Sequence, residues 1–377
     1  MTIHELPTPA LLLDLDILER NLTRMQERAN KFGVALRPHI KTHKCLEIAK
    51  KQRDRGAKGI TASTFYEAEQ FAAAGFDDIA WAFPIPPVYA VKAAELARKI
   101  TFRVLVDSFG AKGHLDKVAR VNDHKLHVWL KVDCGYHRAG VDPRSELAER
   151  LCCSLAESKS LIFDGILTHA GHSYLATSKE EIRVIAEQER SEMVEFAERM
   201  KAKGISIPAI SVGSTPTMWR AERLDGVTEI RPGNYAFNDY HQAAIGSCDV
   251  SDCALTVLTS VISHQPGASH FLTDAGALAL SKDLGPIHVQ NEMDMGILFE
   301  DYDRKRLHAH LHLKSLSQEH GKIVADTPAQ IEGKFQVGQK IRILEHHSCL
   351  TAALFDYYNV VRGEDVVETW KILRGRT

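Results

Sequence analysis

The chain has 377 residues, 47 of them basic and 49 acidic, so a net charge of −2 argues against a nucleic-acid surface or a polybasic membrane patch. The 44% hydrophobic content is that of a globular protein of about two domains. No stretch approaches the roughly 20 apolar residues that span a bilayer, and the first residues do not resemble a secretory signal. Seven scattered cysteines do not suggest a disulfide framework, which favours a reducing, cytoplasmic compartment.

Apolar strand-like runs alternate with amphipathic segments between residues 34 and 245. The eight predicted strands are 34–38, 59–62, 78–82, 102–106, 126–132, 163–167, 209–212 and 228–230. Helix-like segments fall between most of them, as at 66–74, 88–99, 145–158 and 179–203. Eight strand–helix units predict a (β/α)8 barrel with a parallel sheet, and an open doubly wound sheet is the alternative.

The texture of the sequence changes after residue 250, where long helical patterns become scarce. Strand-like runs are predicted at 254–262, 270–273, 307–313, 340–344, 359–362 and 366–373. These runs predict a β-rich second domain. A further run at 10–13 is compatible with either domain.

A basic loop follows the first predicted barrel strand and reads Arg37-Pro38-His39-Ile40-Lys41-Thr42-His43-Lys44. Parallel barrels present their functional residues at the carboxyl ends of strands. A lysine held near other cations loses proton affinity and becomes a usable nucleophile or Schiff-base former. A solvated basic loop is the alternative, and the charge pattern alone favours it.

Glycine-bearing turns follow the last two predicted barrel strands. They read Gly213-Ser214-Thr215-Pro216-Thr217 and Arg231-Pro232-Gly233-Asn234-Tyr235. Barrels often bind phosphate at this position, through backbone N–H groups and hydroxyls. Each turn alone is ordinary turn chemistry, but their joint placement favours a phosphorylated ligand.

His347 and Cys349 lie two residues apart in the second domain. In an extended segment this spacing places both side chains on one face, where an imidazole and a thiolate make a natural zinc pair with open positions. A buried cysteine beside a surface histidine is the alternative. His308, His310 and His312 show the same alternation and are interpreted as the polar outer face of a strand.

The chain resembles one enzyme family over nearly its whole length. The resemblance rests on the motifs above, on Thr8-Pro9-Ala10-Leu11-Leu12-Leu13-Asp14 and on the segment 133–140. The family comprises the fold-type III pyridoxal phosphate (PLP) enzymes of the eukaryotic-type D-serine dehydratase and D-threonine aldolase group, which are relatives of alanine racemase. The resemblance implies a PLP-binding barrel over 14–248. It also implies a β-rich domain over 249–377 that takes the N-terminal strand 1–13 and carries a metal site.

The resemblance also implies roles for individual residues. Lys41, in preference to Lys44, would bind PLP as a Schiff base and act as the catalytic lysine. Further cofactor contacts would come from Arg138, Tyr174, Gly213, Ser214, Thr215, Gly233, Asn234 and Tyr235. His347 and Cys349 would bind a divalent metal beside the cofactor, zinc in preference to manganese or magnesium because a thiolate is a soft ligand. Family members are typically homodimers.

The activity implied by the resemblance is metal-dependent β-elimination of water from D-serine, giving pyruvate and ammonia. The alternative is a retro-aldol reaction on D-threonine or 3-hydroxy-D-aspartate, giving glycine and an aldehyde. The His-x-Cys pair looks more like the dehydratases of the family. A non-catalytic PLP-binding protein is the third possibility, and an open metal site argues against it.

Overall fold

The computed structural model describes residues 1–289 and 294–376, which form two units. The barrel unit consists of Arg24–Lys41 and Leu46–Gly233, together with residues 375 and 376. The β-rich unit consists of Met1–Thr23, Thr42–Cys45 and Asn234–Arg374. In the described part of the chain, no helix is long and apolar enough to cross a membrane.

Strand β1 (Ala10–Asp14) belongs to the β-rich unit, and the barrel unit begins its own sheet with the next strand. The eight barrel strands are β2 (Ala35–Leu36), β3 (Ile60–Ala62), β4 (Asp78–Pro84), β5 (Thr101–Val106), β6 (Leu126–Lys131), β7 (Leu161–Leu167), β8 (Ile210–Val212) and β9 (Glu229–Ile230). Their order is β2-β9-β8-β7-β6-β5-β4-β3, and neighbouring strands in this order are parallel.

The barrel is closed by the segment that follows β2. His39 forms a parallel bridge with Thr61, and the amide of Ile40 donates to the carbonyl of Thr61 at 2.9 Å. This closure confirms the (β/α)8 prediction, and the alternative of an open doubly wound sheet is wrong.

The helices of this part of the chain follow the strands in sequence. They are α1 (Leu15–Phe32), α2 (Leu46–Asp54), α3 (Phe65–Ala73), α4 (Ala90–Ala97), α5 (Phe109–Val121), α6 (Glu146–Ala156), α7 (Lys179–Ala202) and α8 (Thr215–Arg220). Local chemistry explains their ends, as in α7, where the Ser178 side chain caps the helix by accepting from the amide of Glu181 at 3.2 Å.

Helix α7 buries one face, and the buried positions recur at the three- and four-residue spacing of a helix. They are Ile182, Ile185, Ala186, Glu189, Arg190, Met193, Phe196 and Met200. A glutamate therefore occupies a position on an otherwise largely apolar stripe.

The β-rich unit is built on a mainly antiparallel sheet. Its later strands are β10 (Leu255–His264), β11 (His270–Thr273), β12 (Ile297–Asp301), β13 (Arg306–Leu307), β14 (Leu311–Leu316), β15 (Gly321–Ala325), β16 (Lys340–Leu344), β17 (Tyr357–Arg362) and β18 (Asp365–Lys371). The main path is β13-β12-β16-β10-β1-β17-β18, while β11 joins β10 to β15 and β14 pairs with β15. The short helix α9 (Tyr240–Ala244) precedes β10, α10 (Ala277–Leu280) lies between β11 and β12, and α11 (Ser348–Ala352) lies between β16 and β17.

The N-terminal strand β1 lies inside this sheet, between β10 and β17, as the resemblance implies. Leu11, Leu12 and Leu13 are at most 1% exposed, which explains why the run is apolar at every position. The strand predicted at 307–313 is interrupted, since β13 pairs with β12 whereas β14 pairs with β15.

Candidate functional site

The basic loop after β2 is largely buried, so the expectation of a solvated loop from charge alone is wrong. Arg37, Thr42 and His43 are at most 4% exposed. The Arg37 guanidinium donates to Glu229 at 2.7 Å and to Asp78 at 3.2 Å. These carboxylates outweigh the effect of burial and raise the pKa of Arg37 above its usual value. The loop that carries Lys41 is therefore anchored at its start by a buried ion pair.

Arg138 lies in a turn that is organised by Asp133, after β6. The Asp133 carboxylate accepts hydrogen bonds from the amides of Gly135 and His137, both at 3.0 Å. Burial raises the pKa of Asp133, but these hydrogen bonds prevail and lower it below its usual value. The Arg138 guanidinium lies 4.9 Å from the centre of the Tyr136 ring, within the range of a cation–π interaction.

His169, after β7, is the histidine around which several predicted site residues gather. Its Nδ1 lies 3.3 Å from the Gly213 carbonyl, and its ring centre is 6.5 Å from that of Tyr174. Burial lowers the pKa of His169 well below its usual value, and the positive charge of Lys41 acts in the same direction. The imidazole is therefore neutral at pH 7. No role for this histidine was predicted from the sequence.

The turn Gly213–Thr217 is held by hydrogen bonds within the barrel unit. Gly213 has φ +120°, and a Cβ there would lie 3.0 Å from the Arg231 amide nitrogen, so a side chain would be strained and tightly packed. The Gly213 amide donates to Glu189 Oε1 at 2.9 Å, and the Ser214 amide donates to Thr217 Oγ1 at 3.0 Å. Ser214 and Thr215 are almost fully buried.

Gly233 is the last of the predicted site residues that belong to the barrel unit. A Cβ at this position would lie 2.7 Å from the His39 carbonyl oxygen, so only glycine allows the backbone to approach the Lys41 loop this closely. The next two predicted residues, Asn234 and Tyr235, are grouped with the β-rich unit.

Asn234 belongs to a buried network that includes Ser348, the residue between His347 and Cys349. Its Nδ2 donates to Asp239 Oδ2 at 2.7 Å and to Ser348 Oγ at 2.9 Å. The amide of Ser348 also donates to Asp239 Oδ2, at 3.1 Å. Asn234 Oδ1 is buried and has no hydrogen-bond partner among the described residues. Tyr235 is fully buried.

His347 and Cys349 do not lie in an extended segment, and that expectation is wrong. His347 occupies the N-cap position of the short helix α11, which contains Cys349, and its side chain makes no capping hydrogen bond. The two side chains nevertheless interact, since the Cys349 thiol contributes to the environment of the His347 ring. Cys349 Sγ lies 3.1 Å from Thr42 Oγ1.

Asp283 orients the His347 ring and was not anticipated from the sequence. His347 Nδ1 lies 3.0 Å from Asp283 Oδ2. Burial lowers the pKa of His347, but the interactions with Asp283 and Cys349 prevail and raise it to about 11. A carboxylate that fixes one ring nitrogen is found at many metal-binding histidines.

The donor sets fit the two groups that the resemblance implies. The barrel unit offers an amine at Lys41, a guanidinium at Arg138 and buried hydroxyls at Ser214 and Thr215, which suit an aldehyde that carries a phosphate. In the β-rich unit, the Asp283–His347–Cys349 set suits a divalent metal. Among the described residues, no group of three or more His, Cys, Asp or Glu side chains is positioned to hold a metal.

Comparison with known proteins agrees with this architecture. Residues 13–241 match the family model of the alanine racemase N-terminal domain, and residues 254–361 match a putative serine dehydratase domain. The D-threo-3-hydroxyaspartate dehydratase of Delftia sp. (strain HT23) is 38% identical, with 99% of each chain covered. The D-serine dehydratase of Dictyostelium discoideum is 34% identical, with 97% of this chain and 96% of the relative covered.

A solved structure leads to the same class. A D-threo-3-hydroxyaspartate dehydratase mutant in the metal-free form superposes with a TM-score of 0.92 at 37% identity, covering 100% of both chains. The fold is thus that of the alanine racemase-like, fold-type III PLP enzymes. Within this class, the chain belongs to the family of D-serine dehydratases and D-threonine aldolases, which are PLP-dependent lyases.

Proposed function

We propose that this chain removes water from D-serine in a PLP- and metal-dependent reaction that yields pyruvate and ammonia. The observation that carries the proposal is the His347 ring, which Asp283 orients at 3.0 Å, with a thiol two residues further along the chain. A protein that only stores PLP needs no pair of metal ligands with open coordination positions, whereas an enzyme that eliminates a hydroxyl group can use one.

Lys41 would hold PLP covalently and, once released from it, take the proton from Cα of the substrate. Bound PLP supplies an electron sink that withdraws electron density from Cα. Arg138 would hold the cofactor ring by its positive charge. Neutral His169, whose imidazole carries a single N–H proton, would lie beside the ring. The hydroxyl-rich turn Gly213–Thr215, with Gly233 and Asn234, would hold the phosphate. Tyr174 and Tyr235 would limit the space around the ring.

His347 and Cys349 would hold the divalent metal, with zinc favoured because thiolate is a soft ligand. Such a metal supplies a Lewis acid for the β-hydroxyl of the substrate, which makes hydroxide a better leaving group. Asp283 keeps the His347 ring in one orientation, which reduces the cost of forming the site. Loss of the Cα proton and of hydroxide gives one water and an enamine, and hydrolysis of its imine tautomer gives pyruvate and ammonia.

Dehydration of D-threo-3-hydroxyaspartate is a second candidate, favoured by the 38% identity to the Delftia enzyme of that name. It uses the same Cα proton and β-hydroxyl, with a carboxylate in place of a β-hydrogen.

We also propose a homodimer in a reducing, cytoplasmic compartment, as the resemblance and the seven unbridged cysteines favour. Light scattering on the purified protein tests the dimer.

A product assay tests the proposed reaction. Purified protein with PLP is offered D-serine, D-threo-3-hydroxyaspartate and D-threonine separately, with and without a chelator. Chelator-sensitive pyruvate from D-serine supports the proposal, and oxaloacetate from hydroxyaspartate with little pyruvate supports the second candidate. Glycine with an aldehyde would move the protein to the aldolases. If no substrate yields a product while PLP binds, the chain is a PLP-binding protein.

A further inference from the structure

A buried glutamate on α7 links the loops that follow β7 and β8. Glu189 is fully buried. Its Oε1 accepts hydrogen bonds from the amide of Ala170 at 3.0 Å and from the amide of Gly213 at 2.9 Å. Its Oε2 accepts from the hydroxyl of Thr217 at 3.0 Å. One carboxylate therefore holds three donors, which come from the loop after β7, the loop after β8 and the first turn of α8.

The same two loops are joined by a second set of hydrogen bonds that completes a ring with Glu189. Thr217 Oγ1 accepts from the Ser214 amide at 3.0 Å, and Ser214 Oγ lies 2.8 Å from Ser173 Oγ. Ser173 Oγ donates to the Ala170 carbonyl at 2.7 Å. Since all of these side chains are almost fully buried, water does not replace a missing partner easily.

The need for a carboxylate at this position follows from the donors. Two backbone N–H groups converge on one oxygen, and a hydroxyl meets the other. Removing the acceptor would leave buried donors unsatisfied, which is costly because they are already desolvated. The Gly213 backbone would then lose the contact that sets its direction.

We propose that Glu189 is a positioning residue that sets the affinity for PLP. It fixes the turn Gly213–Thr215, the proposed phosphate site, relative to the loop that carries His169 and Tyr174. This inference rests on the proposed cofactor role of these two loops. Glu189 would touch neither the cofactor nor the substrate, and would act only through the backbone that it holds.

Titration of PLP into cofactor-free protein, followed by absorbance, tests the proposal. We expect Glu189→Ala to weaken PLP binding by about tenfold or more, because two amides lose their acceptor. Glu189→Gln should stay within about threefold of wild type, since its amide oxygen still accepts both N–H groups and its amide nitrogen can donate to the Thr217 hydroxyl. Glu198→Gln is the matched control, the same change at a 67% exposed position on α7.

Pyridoxal, which lacks the phosphate, gives a readout that general destabilisation would not produce. Glu189→Ala should weaken PLP more than pyridoxal, because the displaced turn is the proposed phosphate site. A variant that is merely less folded would lose both ligands in equal proportion. If Glu189→Ala does not fold, Thr217→Val removes one member of the ring and should weaken PLP selectively in the same way.

The outcomes separate this inference from the proposed function. Equal PLP affinity in wild type and Glu189→Ala would overturn the inference alone. Equal weakening by Glu189→Gln and Glu189→Ala would also overturn it, because the amide preserves the hydrogen bonds. Absence of PLP binding in the wild-type protein would overturn the proposed function as well.

Discussion

Two glutamates, one in each unit, are equally hidden from water but differently supplied with hydrogen bonds. Glu189 in the barrel unit and Glu345 in the β-rich unit are both 0% exposed. Glu189 accepts three hydrogen bonds, whereas neither oxygen of Glu345 has a partner in the described part of the chain. Burial and the nearby charge of Asp239 raise the pKa of Glu345 well above its usual value. Donors, and not burial, decide which buried carboxylate can hold a loop in place.

The two units also carry different parts of the proposed chemistry. The barrel unit carries Lys41 and the ordered turns, and the β-rich unit carries His347 and Cys349. If the units contribute different functions, removing one set should leave the binding properties of the other intact. The following predictions test that separation, and then the energetics of the buried charges.

Lys41→Ala should lower product formation by about 10⁴-fold, because it removes both the covalent link to PLP and the base for Cα. Metal content, measured by atomic emission, should stay that of wild type. Mass spectrometry after borohydride reduction should find PLP attached at position 41 in wild type only. Lys44→Ala is the matched control, and a PLP adduct that persists in Lys41→Ala would exchange the roles of the two lysines.

Cys349→Ala should lower product formation by about 10³-fold through loss of the metal, while PLP stays covalently bound. Metal content and the PLP absorption band are measured on the same sample. Cys153→Ala, a partly exposed cysteine on α6, is the control and should behave as wild type. Full activity in metal-depleted Cys349→Ala would refute the metal's role.

Glu229→Gln should lower the free energy of unfolding by about 3 kcal/mol, because it breaks the buried ion pair with Arg37 at 2.7 Å. Asp326→Asn in the β-rich unit weakens contacts with His310 and His312, and should change stability little because Asp326 is 48% exposed and the two histidines are 59% and 28% exposed. Urea unfolding of both variants measures the difference. Equal losses would show that burial does not set the value of these pairs.

Buried Lys131 in the barrel unit should make the free energy of unfolding depend on pH, and Lys131→Met should remove that dependence. Burial lowers the pKa of Lys131 to about 8, and Arg231 adds to the effect. Between pH 8 and pH 10 the unfolded chain keeps the proton that the folded chain releases, so wild-type stability should rise with pH by about 2 kcal/mol relative to Lys131→Met. Urea unfolding at several pH values measures this, and parallel curves for the two proteins would contradict it.

Periodicity was sufficient to find the elements of the barrel and some of the β-rich unit. The run at 340–344 became β16, and the pattern at 179–203 became α7. β12 and β15 escaped detection, since charged residues such as Glu300 and Lys322 dilute their short apolar patterns. Glu189 could have been singled out from the sequence, because it lies on the apolar face of an amphipathic helix. A glutamate buried on such a face must find hydrogen-bond donors.

What the sequence determined by itself was local: which segments form strands and helices, where their ends lie and which motifs follow each strand. Local sterics, capping and apolar spacing act over a few residues and can be read directly. The tertiary structure alone decided where the polar groups find partners. The donors to Glu189 lie 19 to 28 residues away along the chain, and Asp283 lies 64 residues from His347. Such pairs depend on how the loops meet after folding, and no pattern of a few residues encodes that meeting.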